Sequence, residues 1–87
     1  MSIDDRRHEP RIPASGVIEI LFEDPLPATI EAELQETSDR GFRILHGCQQ
    51  LVPGLEVRMR RNGATQRARV MWTHLAEGRR VSGCLLL

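Results

Sequence analysis

From Ala14 onward the chain alternates. Val17, Glu19 and Leu21 interleave with Ile18, Ile20 and Phe22, a two-residue period rich in β-branched side chains that predicts a strand with one face on a core. Between Thr29 and Gln35 the alternation is cleaner, with Ile30, Ala32 and Leu34 on one face and Glu31, Glu33 and Gln35 on the other. A third strand follows from Phe42 and Ile44 against Arg43 and Leu45, and a fourth from Leu55, Val57 and Met59 against Glu56, Arg58 and Arg60. The fifth runs from about Ala64 to Thr73, where Ala68, Val70 and Trp72 share one face and so assign Trp72 to the core. Val81 to Leu87 completes the set.

The breaks between these runs carry turn chemistry. Glu23-Asp24-Pro25-Leu26-Pro27 is a proline-marked turn, and Glu36-Thr37-Ser38-Asp39-Arg40-Gly41 breaks the alternation, offering hydroxyls, an acid and a glycine able to take positive φ. A loop spans Gly47 to Gly54, Asn62-Gly63 is the strongest hairpin signal, and Ala76-Glu77-Gly78 turns the chain once more. Six short strands without a helical period predict an all-β fold, an antiparallel barrel or sandwich. A closed six-stranded barrel is favoured because it leaves few free edges in so short a chain.

Composition narrows the function classes. Eighty-seven residues, 40% hydrophobic and 28% charged, suit one soluble domain with a single core. Twelve basic residues, all arginine, balance twelve acidic ones, so no global field would hold nucleic acid or an anionic membrane. Two Phe, one Trp and no Tyr make a poor stacking surface for single strands. No apolar run approaches a membrane span and no signal peptide opens the chain, which makes the cytoplasm the expected location. Cys48 and Cys84 lack CxxC spacing and read as two free thiols, with a disulfide as the alternative. His8, His46 and His74 show no metal-ligand spacing, and no nucleophile–base pairing can be argued, so neither a metal site nor an enzyme is expected.

The conspicuous chemistry lies ahead of the first strand. Arg6, Arg7 and Arg11 fall within six residues, and Pro10 and Pro13 oppose a continuing helix. Residues 1–13 therefore read as a mobile arm carrying planar cations, followed by a barrel domain over 14–87. Arginine offers a rigid fork of donors that matches phosphate oxygens or the O6/N7 edge of guanine.

Arg7-x-x-x-Arg11, followed after one strand pair by Ser38-x-x-Gly41, resembles the PilZ domain family. Val70-Met71-Trp72 and Val81-Ser82-Gly83-Cys84-Leu85-Leu86 are similar to that family's last two strands. The resemblance implies a six-stranded PilZ-type barrel that binds the bacterial second messenger cyclic di-GMP, with the arm wrapping the ligand against the barrel. On that reading Arg7 and Arg11 meet guanine edges and phosphates, Ser38 meets a phosphate or a guanine edge, and Gly41 permits tight backbone. Glu36 stands where the family has Asp or Asn, which implies weakened rather than lost binding. Arg6 implies an intercalated pair of ligands, two molecules per chain. The chain ends just after the last strand, so the C-terminal helix of many members is not expected.

Bland readings accompany these expectations. The arm taken alone is a charged terminus. Arg40 and Arg43 read as a solvated face or as partners of Glu31, Glu33 and Asp39. The rival to a receptor is a PilZ-like adaptor that has lost its ligand. The receptor reading is a ligand-gated module whose arm orders on binding and whose downstream protein partner the sequence does not name. Leu85 or Leu87, exposed at a barrel end, would serve that partner or a homodimer.

Overall fold

A computed structural model describes residues 12–87. It contains seven strands and, among the described residues, no helix: β1 (Ile12–Pro13), β2 (Val17–Phe22), β3 (Ala28–Thr37), β4 (Gly41–His46), β5 (Glu56–Arg61), β6 (Ala64–Ala76) and β7 (Arg79–Leu86). All pairings are antiparallel, in the order β1-β3-β2-β5-β6-β7-β4, and β3 also pairs with β4. That last pairing closes the sheet into a six-stranded barrel, with β1 as a short extra strand outside the closure. The expected all-β barrel is therefore present. No helix of the described residues is long and apolar enough to cross a membrane.

The inward residues follow from the alternation. Ile18, Ile20 and Phe22 of β2 meet Ala32 and Leu34 of β3, Phe42 and Ile44 of β4, Val57 and Met59 of β5, and Ala68 and Val70 of β6. Leu51, from the loop between β4 and β5, closes one end at 1% exposure. Outward charges pair across strands as Arg60–Glu19, Arg67–Glu56 and Arg79–Glu33, and Arg58 reaches Glu23 in the β2–β3 turn. Exposed pairs of this kind contribute about 0–1 kcal/mol each, so the core decides stability.

Asn62 and Gly63 take φ of 52° and 82°, the left-handed pair that the hairpin signal requires. Glu77 and Gly78 do the same between β6 and β7, and β6 runs to Ala76, three residues past its expected end.

Period two breaks at two places. Along β3, Leu34 faces Ile44 but Glu36, not Gln35, faces the next residue of β4, Arg43. Along β6, Val70 faces Cys84 but Trp72, not Met71, faces Gly83. Each strand thus carries one extra residue, a β-bulge, and every side chain beyond it changes face. Trp72 is therefore not in the core; it is 36% exposed on the outer surface. Strict parity would likewise have turned Glu36 inward with Leu34.

Candidate functional site

The two bulges put their re-aimed side chains on one line. Pro13 of β1 registers with Glu36 of β3, Glu36 with Arg43 of β4, Arg43 with Gly83 of β7, and Gly83 with Trp72 of β6. Adjacent strands are about 4.8 Å apart, so Glu36 and Trp72 flank a surface roughly 14 Å wide. An open concavity of about 260 Å³ lies there, lined by the Glu36–Arg43 segment on one side and by Met71, Trp72 and Leu85 on the other. The volume is just below the roughly 300–1,000 Å³ of small-molecule pockets, and the mixture of one aromatic wall with a few polar groups suits them.

Gly83 makes the aromatic wall. A Cβ at this position would fall on the indole ring of Trp72, so the ring lies flat on the bare backbone of β7. His74, two residues along the same outer face, holds its ring centroid 4.9 Å from that of Trp72 at a tilt of 36°. A flat, half-exposed indole at the mouth of a concavity is a platform for a planar ring.

Gly41 shapes the opposite end. It is an ordinary strand residue rather than a positive-φ turn residue, which corrects the conformational role expected of it. Its necessity is steric: a Cβ would collide with the carbonyl oxygen of Cys84 on β7. The tight backbone expected there is real, and its cause is this close approach.

Ser38 opens the turn into β4. Its backbone N–H donates to Gly41 O at 2.9 Å, and its Oγ accepts from the Arg40 N–H at 3.3 Å. With the oxygen held by that backbone donor, the hydroxyl proton is available to an incoming acceptor.

Glu36 and Arg43 form an ion pair, Arg43 Nη2 to Glu36 Oε2 at 3.1 Å. The expectation for Arg43 is a solvated face or pairing with Glu31, Glu33 and Asp39; the side chain is 37% exposed, and the carboxylate it pairs with is that of Glu36. The bulge in β3 is the reason, because it brings Glu36 to the outer face directly opposite Arg43. Arg43 Nε is buried without a hydrogen-bond partner.

Arg6, Arg7 and Arg11 lie outside the described residues. Ile12 and Pro13, the end of the expected arm, pair as β1 with Thr37 and Glu36, and Ala14 N–H donates to Gln35 O at 3.1 Å. The residue that follows Arg11 is therefore fixed beside the Glu36–Ser38 segment. Of the expected site residues within the described chain, Glu36, Ser38 and Gly41 come together in the one concavity. Sequence reading missed Trp72 and Arg43: the bulge in β6, which leaves no signature in the alternation, turns Trp72 outward, and the bulge in β3 sets Glu36 opposite Arg43.

A second polar cluster lies inside the barrel. His46 Nε2 is 2.7 Å from Ser82 Oγ, Ser82 Oγ is 2.7 Å from Thr73 Oγ1, and Thr73 Oγ1 donates to Leu51 O at 2.9 Å. The backbone N–H of Cys48 donates to His46 Nδ1 at 3.0 Å, which makes Nδ1 an acceptor and assigns the ring proton to Nε2. Every donor then runs one way: Nε2–H to Ser82, the Ser82 hydroxyl to Thr73, the Thr73 hydroxyl to Leu51. Burial first, and the Arg80 and Arg79 charges second, hold His46 below its ordinary 6.5, in keeping with a neutral ring. Ser82 is fully buried and its proton is committed to Thr73, so this serine–histidine contact acts as a structural tie. The Cys84 thiol is pushed up to about 12 by burial, and Cys48 and Cys84 are both free. Among the described residues no group of His, Cys, Asp and Glu is arranged to hold a metal ion.

Compared with models of known protein families and with curated proteins, the chain matches none.

Proposed function

We propose that this chain binds cyclic di-GMP at the outer-face concavity and acts as a ligand-gated signalling and interaction module. The observation that carries the reading is the convergence of two independent features on one spot. The bulged strands set Glu36 and Trp72 on either side of the concavity. The β1–β3 pairing brings the root of the arginine arm to the same edge. A guanine stacks on the indole of Trp72, the Ser38 hydroxyl donates to a phosphate or guanine acceptor, and Arg7 and Arg11 supply the remaining donors to phosphate and to guanine O6/N7. The similarity of Arg7-x-x-x-Arg11 and Ser38-x-x-Gly41 to the PilZ family supports the same ligand, a bacterial and cytoplasmic one. Arg6 extends the cation cluster and supports a second, intercalated ligand molecule.

The test is isothermal titration of the chain with cyclic di-GMP beside an Arg7→Ala/Arg11→Ala double variant. Micromolar or tighter binding that the double variant loses is the expected result, and the stoichiometry separates one ligand from two. Absence of heat and of any melting shift near millimolar ligand would sink the receptor. The Glu36–Arg43 ion pair favours the second reading in that event: a PilZ-like adaptor whose carboxylate is spent on its neighbour and whose outer face serves a protein partner.

A further inference from the structure

Arg43 lines the concavity and stands, in strand register, between the Glu36 wall and the Gly83 backbone on which Trp72 lies. Its guanidinium is half used. Nη2 contacts Glu36, while Nε is buried with no hydrogen-bond partner. A guanidinium kept only for the ion pair would present Nε to the second carboxylate oxygen or to water, since buried donors are almost always paired. An unpaired buried donor at the floor of an open site is a donor waiting for an acceptor that enters with a ligand.

We infer that Arg43 reads the O6/N7 edge of a guanine in this pocket, and that the Glu36–Arg43 pair is the resting form of that reader. The inference rests on the guanine-nucleotide reading given above and assigns base specificity within it. The ion pair is a donor edge facing an acceptor edge. Guanine carries both complements side by side: O6 and N7 accept, and N1–H and N2–H donate. Entry of the base exchanges one neutral pairing for two, with the Nε/Nη2 edge of Arg43 passing to O6/N7 and the Glu36 carboxylate taking N1–H and N2–H. No charge is left uncompensated during the exchange. Trp72, across Gly83, supplies the face on which the same base stacks. Adenine offers an amino donor where guanine has O6, and would set N6–H against the guanidinium.

The experiment is a cycle of two proteins and two ligands followed by titration calorimetry. The proteins are the full chain and its Arg43→Met variant; the ligands are cyclic di-GMP and its 7-deazaguanine analogue, which lacks only the N7 acceptor. The unchanged chain is expected to bind cyclic di-GMP about tenfold more tightly than the analogue, and the variant to separate the two ligands less than the parent does, the residual difference belonging to the N7 contacts of Arg7 and Arg11, with cyclic di-GMP weakened on the order of 10- to 100-fold. Arg43→Lys keeps the charge without the fork and is expected to behave as the methionine variant does. It also serves in its place if methionine lowers the melting temperature into the measuring range. A variant that still separates the two ligands as the parent does overturns the role of Arg43 while leaving cyclic di-GMP binding intact. An equal loss for both ligands also overturns it, because a cation acting on phosphate is blind to N7. No binding of either ligand by the unchanged chain removes the guanine reading and this inference together.

Discussion

Trp72 lies over the bare backbone of Gly83 on the outer face of the barrel, at the edge of the concavity. Its spacing from Ala68 and Val70 is the spacing of a core side chain, and Ala68 and Val70 are indeed fully buried. One extra residue, Met71, sends the indole to the surface, where it lies over Gly83. Trp72→Ala is expected to weaken cyclic di-GMP binding on the order of 10- to 100-fold, the usual loss when a base gives up an aromatic platform. As this is the only tryptophan, the intrinsic fluorescence of the unchanged chain is expected to quench as ligand is added. Quenching by ligand together with unaltered affinity of the alanine variant would rule out stacking. Turn chemistry was legible at this scale: Asn62-Gly63 told its own conformation, because few residue pairs accept positive φ twice. The identity of Gly41 was legible as important, but its reason was not, because that reason is the carbonyl of Cys84, forty-three residues away in sequence.

The strands as elements were readable from alternation, since a sheet with one buried face imposes period two on each of them. What alternation omits is register between strands. The pairings of β4 with β7 and of β6 with β7 assemble His46, Ser82 and Thr73 into a single hydrogen-bonded file that also secures the loop at Cys48 and Leu51. None of these residues advertises a partner in the sequence. Protonation of His46 would bring Nδ1–H against the Cys48 N–H, in a buried site already facing Arg80 and Arg79. The folded ring resists the proton that the unfolded chain accepts near 6.5, so the unfolded state binds more protons below that pH. Stability is accordingly complete above 6.5 and declines as pH falls through 6.5 toward the lower folded value, below which the loss stops growing. Chemical denaturation at a series of pH values is expected to follow that course. Ser82→Ala, which orphans the Nε2 donor, is expected to cost about 1–3 kcal/mol at neutral pH. A Ser82→Ala variant as stable as the parent would contradict the directed file of donors.

For the molecule as a whole, closure matters most. The β3–β4 pairing closes the six-stranded sheet, and among the described residues the two-residue β1 lies outside that closure, paired to β3. Among the described residues that pairing is thin, one short ladder plus the Ala14 and Gly16 backbone contacts with Gln35 and Leu34. Amide exchange should therefore be fast at Ala14 in the free chain and slow at core positions such as Ile20 and Ile44. Cyclic di-GMP is expected to slow exchange at Ala14 severalfold in the unchanged chain and not in the Arg7→Ala/Arg11→Ala variant. Equal exchange with and without saturating ligand would show that binding does not reach the arm. Barrel closure was deducible from the economy of edges in a short chain.

Gln35 and Met71 sit inside the two strand steps whose counts disagree with their neighbours, and this has a consequence for how the site is inherited. Substitution at either position changes one side chain and leaves the count alone. Deletion of either codon restores an even rhythm, and the ladder beyond it rotates half a turn. The indole, or the carboxylate, would then be driven into the barrel, and a residue meant for the interior would be turned out. Whatever this surface recognises is thus more tolerant of a spelling error at 35 or 71 than of the loss of a single letter-triplet there. Lineages that keep the pocket should vary freely in what they write at 35 and 71 while never omitting it.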